Sequence, residues 1–314
     1  MVYCTSLFAR GTGLGNRLFP WARSVLFSSV HRVPMLKPMW VRPSIGPIAR
    51  GGIAPRNYLR QFALFNLFQK REGEISGVLR LKILQSAIRY PEPESLLGSP
   101  LPSGEAPSLI TMQRDKDHFL PFAQERSLIL NEFRKMSHPK WVRLADSLPS
   151  YPVALNIRRA KDFPDPQLPR DFHATGPIRT PLWWFIDTLN YIRAVFGYSV
   201  PAIVVSDGTR LDLAPVLSLE NVSLLEPGCP ISDLLVLSKA KLLVGSGGSS
   251  FSAWASYFGQ SPTVTFPGQS LTWFKLQHTN GAYLGEFDTR TPSSSFEYQV
   301  RDLSRSLSRR IVVC

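Results

Sequence analysis

A chain of 314 residues, 44% hydrophobic and 19% charged, is long enough for two α/β domains that each bury a core. Its net charge of +13, from 36 Lys+Arg against 23 Asp+Glu, asks for an anionic partner, whether nucleic acid, anionic lipid or a phosphorylated small molecule. No run approaches the ~18 apolar residues of a membrane span, the N-terminus lacks a signal-peptide plan, and Cys4, Cys229 and Cys314 are too scattered for a disulfide framework or a zinc site, so a reduced, cytosolic protein is expected.

Val2 to Ala9 reads as a buried strand, followed by the glycine-rich turn Arg10-Gly11-Thr12-Gly13-Leu14-Gly15-Asn16-Arg17 and a helix from about Asn16 to Ser29, with Leu18, Ala22, Val25 and Leu26 on its apolar face. Strand, turn and helix resemble a Rossmann start, but the spacing is GxGxG and no acidic strand end follows about 20 residues later, which argues against a dinucleotide site. A close approach of backbone to some ligand remains expected there. Pro34 to Pro55 is too rich in Pro and Gly for a long helix and reads as a surface loop with at most a short strand.

Helical patterns return at Tyr58 to Phe68 and Leu79 to Ile88, a Pro/Ser/Gly-rich loop covers Tyr90 to Pro107, and Phe119 to Met136 and Pro139 to Leu148 read as helices. A domain junction is expected near Pro149 to Pro152. The basic residues of this half, among them Arg42, Arg50, Arg56, Arg60, Lys70, Arg71, Arg80, Lys82 and Arg89, are dispersed, and no RNP-type module accompanies them. That lowers the nucleic-acid reading and raises a peripheral hold on an anionic membrane surface. Asp115-Lys116-Asp117-His118 has a DxD spacing, but no apolar strand leads directly into it and its cations suit a solvated turn, so no metal site is assigned.

The second half opens with strand Val153 to Ile157, which delivers Asn156, Arg158, Arg159, Lys161 and Asp162 to its C-terminal end. Ligands of open parallel sheets bind beyond the carboxyl ends of the strands, and an arginine fork binds two phosphate oxygens at once. A loop with Asp165, Asp171 and His173 follows, then helix Trp183 to Phe196. Strands Ala202 to Ser206 and Val222 to Leu225 end at Asp207 and Glu226, which could bond a base or ribose or equally cap the next helix.

The most informative stretch is Asp233 to Pro267: a helix bearing Leu234, Leu235 and Leu237, strand Lys241 to Gly245, a Gly/Ser loop, a helix around Phe251 to Phe258, and strand Pro262 to Phe266. Gly245, Gly247 and Gly248 admit close approach, and Ser249, Ser250 and Ser252 dress the helix start. Such a terminus suits a phosphate, although a plain N-cap after a flexible turn has the same appearance. A last helix, Phe296 to Arg309, carries Arg301, Arg305 and Arg309.

Three patterns then coincide in order. Gly13-Leu14-Gly15-Asn16-Arg17-Leu18-Phe19 is similar to a GxLGNQxF opening. Asn156-Ile157-Arg158-Arg159 matches part of an HxRRxD motif. Ser249-Ser250-Phe251-Ser252-Ala253-Trp254, after the helix Asp233 to Ser238, matches SSFSWW. Together they resemble the fucosyltransferase superfamily, closest to the bacterial-type α-1,2-fucosyltransferases, with departures at Asn156, Lys161 and Ala253.

The resemblance implies an α/β GT-B-like fold, two Rossmann-like domains facing a cleft: residues 1–150 on the acceptor side and 151–314 binding the nucleotide sugar. It implies inverting transfer of a sugar from a GDP-sugar, GDP-fucose by analogy, to a glycan hydroxyl in cell-surface polysaccharide synthesis, with no metal and no cofactor. Arg158 would bind the β-phosphate, and Asn156, Arg159, Ser249, Ser250 and Phe251 would lie around the diphosphate. Gly13, Gly15 and Asn16 would line the cleft, and Asp207 would reach the guanine or ribose. His173, Asp165 and Asp171 are candidates for a base on the acceptor hydroxyl. The basic N-terminal half fits an acceptor at a membrane surface, such as a lipid-linked glycan, on the inner face. Another nucleotide sugar, and a non-catalytic nucleotide- or nucleic-acid-binding protein, remain the alternatives.

Overall fold

The computed structural model describes residues 1–9, 12–40, 67–159, 163–167 and 178–311. The chain forms two compact units, Met1–Arg143 and Leu144–Cys314.

In the first unit, strand β1 (Val2–Leu7) leads through Gly13 into helix α1 (Leu14–His31). Helix α2 (Gly77–Ser86), strands β2 (Ile88–Pro91) and β3 (Ser108–Gln113), and helices α3 (Arg126–Met136) and α4 (Pro139–Ser147) follow, and the division between units falls inside α4. The strands form a parallel sheet in the order β1-β3-β2, with Val2 and Ile88 both opposite Ser108.

Two of these strands correct the sequence reading. Ile88–Pro91 had the look of a helix end running into a loop; it is an edge strand, where Pro91 interrupts no second ladder. Ser108–Gln113 is buried through five residues and shows no alternation, so its period gave no signal. The helix expected over Phe119 to Met136 is split into a 3-10 turn, Leu120–Phe122, and α3, with Pro121 in the turn. Helix α1 starts at Leu14, ahead of the expected Asn16, because Gly13 adopts the extended N-cap conformation (φ −70°, ψ 171°). Most of the helix expected at Tyr58 to Phe68 lies outside the described residues.

Arg23 of α1 is wholly buried. Its Nε donates to Glu92 Oε1 at 2.6 Å and its Nη2 to Glu92 Oε2 at 3.2 Å, while Nη2 also reaches the carbonyls of Gln113 (2.7 Å) and Arg114 (3.0 Å) and Nη1 that of Lys116 (3.0 Å). A charge without water is tolerated when its donors are matched in this way. This one ties α1 to the end of β3.

The second unit is a six-stranded parallel sheet in the order β6-β5-β4-β7-β8-β9. Its elements run β4 (Val153–Ile157), α5 (Leu182–Phe196), β5 (Ala202–Ser206), α6 (Ala214–Leu217), β6 (Val222–Leu224), α7 (Pro230–Lys239), β7 (Leu242–Gly245), α8 (Ser250–Gly259), β8 (Thr263–Thr265), β9 (Leu284–Glu286) and α9 (Ser294–Ile311). Strand β9, three residues long and half-buried, was not foreseen.

Side-chain alternation along β4 divides the packing. Val153, Leu155 and Ile157 join Trp184, Phe185, Leu189 and Ile192 of α5 and Phe296 and Val300 of α9 in one core. Asn156 turns the other way and donates to Ser252 Oγ of α8 at 2.7 Å, on the face where α7 packs against α8.

Candidate functional site

The strand order of the second unit locates its binding edge. From β4 the chain proceeds outward through β5 and β6, then returns to the other side of β4 with β7 and proceeds through β8 and β9. Connections from β4 and β7 therefore leave in opposite directions, opening a crevice at their carboxyl ends where open parallel sheets take their ligands. Asn156 pairs in register with Gly245, so Arg158 and Arg159 emerge beside the loop 246–249.

Ser246, fully buried, fastens the two strand ends. Its N–H and Oγ donate to the Asn156 carbonyl at 2.9 and 3.0 Å, and its Oγ accepts from the Arg158 N–H at 3.0 Å. Gly248 has φ +65°, and Ser249 then caps α8, its Oγ accepting from the Ser252 N–H at 3.4 Å. Among the described residues no hydrogen-bond acceptor meets the N–H groups of Ser250 and Phe251, in the first turn. A Cβ on Gly247 would stand 2.1 Å from both Cβ and the carbonyl oxygen of Gln269, so the loop passes directly over that residue. Gln269 is itself held: Oε1 accepts from Thr180 Oγ1 at 2.6 Å, and Nε2 donates to the Ile178 carbonyl at 2.7 Å.

The arginines are positioned as firmly. Arg158 Nη1 lies 2.5 Å from Asp207 Oδ2, its guanidinium sits 4.8 Å from the Phe163 ring centroid, and its side chain is 25% exposed. The Arg159 N–H donates to Asp207 Oδ1 at 2.7 Å, and Gly208, where a Cβ would come within 2.9 Å of Arg159, admits that side chain. Arg159 Nε is buried with no hydrogen-bond partner among the described residues. Arg179 Nη2 donates to the Arg159 carbonyl and its Nη1 pairs with Asp165 Oδ2, both at 2.8 Å. A fork held on one edge by a carboxylate and on one face by a ring keeps its direction, which is what recognition of a phosphate requires.

Of the residues singled out in the sequence, the fold gathers Asn156, Arg158, Arg159, Asp207, Ser249, Ser250 and Phe251 along this edge. Asp207 does not stand open toward a base or ribose: its two oxygens serve Arg158 and Arg159. Asp165 is 60% exposed and paired with Arg179. Lys161, Asp162, Asp171 and His173 lie outside the described residues.

Gly13, Gly15 and Asn16 belong to the first unit. Gly13 caps α1 and Gly15 is buried in its first turn. Asn16 lines a recess of about 80 Å³ with Phe8, Thr12, Arg17 and Pro20. The turn Asp115 to His118 also departs from expectation, because apolar β3 does run directly into it. Asp115 Oδ2 stands 3.7 Å from His118 Nε2, and among the described residues no three metal-ligating side chains cluster.

Sequence reasoning missed Ser246, Gln269 and Thr180. Ser246 had a signal, a lone serine between the last glycine of a strand and a Gly-Gly pair. Gln269 and Thr180 had none, since only the tertiary fold brings them beneath the loop.

No protein-family model matches the chain, and no curated protein matches it significantly. Solved structures similar to it include NodZ α-1,6-fucosyltransferase soaked with GDP-fucose, at 12% identity and TM-score 0.48 over 84% of this chain and 94% of that one. POFUT1 in complex with GDP is 15% identical, with TM-score 0.45 over 84% and 97%. A FUT1 variant of Arabidopsis thaliana in complex with GDP is 11% identical, with TM-score 0.47 over 84% and 70%. Likenesses this distant bear no weight beside the chain's own strand order. Among the described residues no helix is long and apolar enough to cross a membrane.

Proposed function

We propose that the chain is an inverting glycosyltransferase that moves a sugar, L-fucose from GDP-fucose in the first instance, onto a glycan hydroxyl. One observation carries this reading. At the switch point of a parallel sheet, Arg158 from the end of β4 and the serine-dressed start of α8 after β7 stand side by side, joined through Ser246 and Asn156. A diphosphate there meets a guanidinium fork and a helix N-terminus at once.

The chemistry follows from where charge grows. An acceptor hydroxyl displaces the nucleoside diphosphate at the anomeric carbon, and the departing oxygens gain negative charge as the bond breaks. Arg158, held by Asp207 and Phe163, and the N–H groups of Ser250 and Phe251 are oriented before the reaction, so they stabilise that charge without reorganising. Asp207 acts through the arginines and is a positioning residue. The base that takes the acceptor proton is assigned to the loop after β4, where Asp165 and His173 are the candidates. The basic first half suits an acceptor such as a lipid-linked glycan, and residues 1–150 would present it to the nucleotide-sugar domain, 151–314.

Thermal unfolding in the presence of GDP, UDP, CMP and GDP-fucose tests the reading. Specific binding at about 100 times Kd stabilises the folded state by roughly 2.7 kcal/mol. A shift with GDP and GDP-fucose that disappears in Arg158→Ala is expected, followed by slow release of sugar from GDP-fucose. A shift with UDP alone would move the donor, and no shift with any nucleotide would overturn the proposal.

A further inference from the structure

Helix α2 exposes three aliphatic side chains on the side that faces water. Val78, Leu79 and Leu81 are 70%, 56% and 55% exposed. Only Ile83 of the helix is buried, packed with Tyr3, Leu36 and Leu109. Single exposed aliphatic side chains are ordinary, but three within four residues of one helix make a patch of the kind that meets a partner or a membrane.

The charges around the patch choose between these. At about 100° per residue, the outward arc of α2 runs Leu81, Gln85, Val78, Lys82, Ser86, Leu79, which sets Lys82 among the aliphatic side chains. Arg80 is half-buried, its Nε on the Lys37 carbonyl at 2.9 Å, and exposed Arg89 follows Ile88. From Gly77 to Pro91 the sequence has these three cations and no acidic residue. A second copy docking by a two-fold axis would press Lys82 toward its own mate with no carboxylate on α2 to receive it. A nucleic acid would find no aromatic side chain on α2 for its bases.

We infer that the outward arc of α2 forms a docking face for an anionic lipid bilayer. Val78, Leu79 and Leu81 enter the boundary between headgroups and acyl chains, while Lys82 lays its stem along that surface and, with Arg89 beside the end of the helix, meets lipid phosphates. The face belongs to the first unit and does not depend on the sugar-transfer reading.

The test uses the full chain with vesicles of phosphatidylcholine alone and with about 30% phosphatidylserine, near physiological salt and at high salt. Co-sedimentation is expected with the anionic vesicles, weakened by salt. Partition should fall by at least about tenfold in Val78→Ser/Leu79→Ser/Leu81→Ser, and preference for the anionic lipid should vanish in Lys82→Glu/Arg89→Glu. Both variants should keep the wild-type unfolding midpoint and any nucleotide-induced shift. An environment-sensitive dye on Leu81→Cys, in a Cys314→Ser background, should shift to the blue when anionic vesicles are added. Absent binding, equal partition of variant and parent, or a dye shift that follows protein concentration without lipid would each overturn the proposal, the last in favour of self-association.

Discussion

Each unit brings an arginine guanidinium to the carboxyl end of a parallel strand, Arg23 from helix α1 and Arg158 from the end of β4, and the two are used in opposite ways. Arg23 gives its donors to Glu92 and to the carbonyls of Gln113, Arg114 and Lys116, and water does not reach it. Arg158 is steadied by Asp207 and Phe163 and remains a quarter exposed beside a helix start. The first is charge consumed in closing a turn; the second is charge oriented and left partly open to solvent. Residue type is the same and both guanidinium groups lie at a strand end, although one arrives from a helix, so burial and partners decide the role.

Substitution should separate them. Arg23→Leu leaves Glu92 and three carbonyls facing one another without a cation, and should lower unfolding free energy by about 3–5 kcal/mol in denaturant titration. Arg23→Leu/Glu92→Leu should recover part of that loss, because the orphaned carboxylate leaves with its partner. Arg158→Ala should do the reverse: a stability change of no more than about 1 kcal/mol for a partly exposed pair, with sugar transfer reduced about 10²–10³-fold. If Arg158→Ala lowered the stability of the second unit by several kcal/mol while keeping the nucleotide-induced shift, the contrast would collapse.

The glycines extend the comparison at smaller cost. A Cβ on Gly247 would overlap the backbone of Gln269, whereas a Cβ on Gly13, where φ is −70°, meets nothing within 4 Å. Gly247→Ala should therefore cost about 1–3 kcal/mol and displace the loop that leads to Ser249, visible as a lost GDP shift. Gly13→Ala should stay within about 1 kcal/mol, the usual loss of a tolerated N-cap glycine.

This asymmetry also marks how much the sequence disclosed. In the second unit, β4, β5 and the helices around the Gly/Ser loop were legible because short apolar strands alternate with periodic helices between Pro and Gly boundaries. Arg158 and Ser249 were legible because strand ends and helix starts have local signatures. In the first unit β2 and β3 escaped, one ending in proline at an edge, the other buried without alternation. Arg23 escaped for a different reason: its partners at Glu92 and beyond Gln113 are distant in sequence, and a lone arginine on an apolar helix carries no sign of them. Asp207 is legible as a strand-end carboxylate but its partners are not, since that local pattern is the same whether it meets a ribose, a helix start or two arginines.

Acidity should divide the units by sign as well. In the second, half-buried His278 of the loop before β9 packs against α8, Nε2 on Ser256 Oγ at 2.8 Å and Nδ1 on the Ala282 carbonyl at 3.1 Å, and desolvation holds its pKa below 6.5. Below that pH the unfolded chain binds the proton more readily than the folded one, so this group's stabilisation is full above about 6.5 and is lost as pH falls toward the folded value. In the first unit, Glu74 lies buried beside Arg71, and burial raises its pKa above 4.5. There the folded form holds the proton more tightly, so stability declines as pH rises above 4.5 until the folded carboxyl has ionised. Between about 4.5 and 6.5 acidification should thus weaken the second unit and strengthen the first through these two groups. Hydrogen exchange resolved by unit across that range should show opposite slopes. His278→Gln should flatten only the second and Glu74→Gln only the first; parallel slopes would mean that neither burial sets the response.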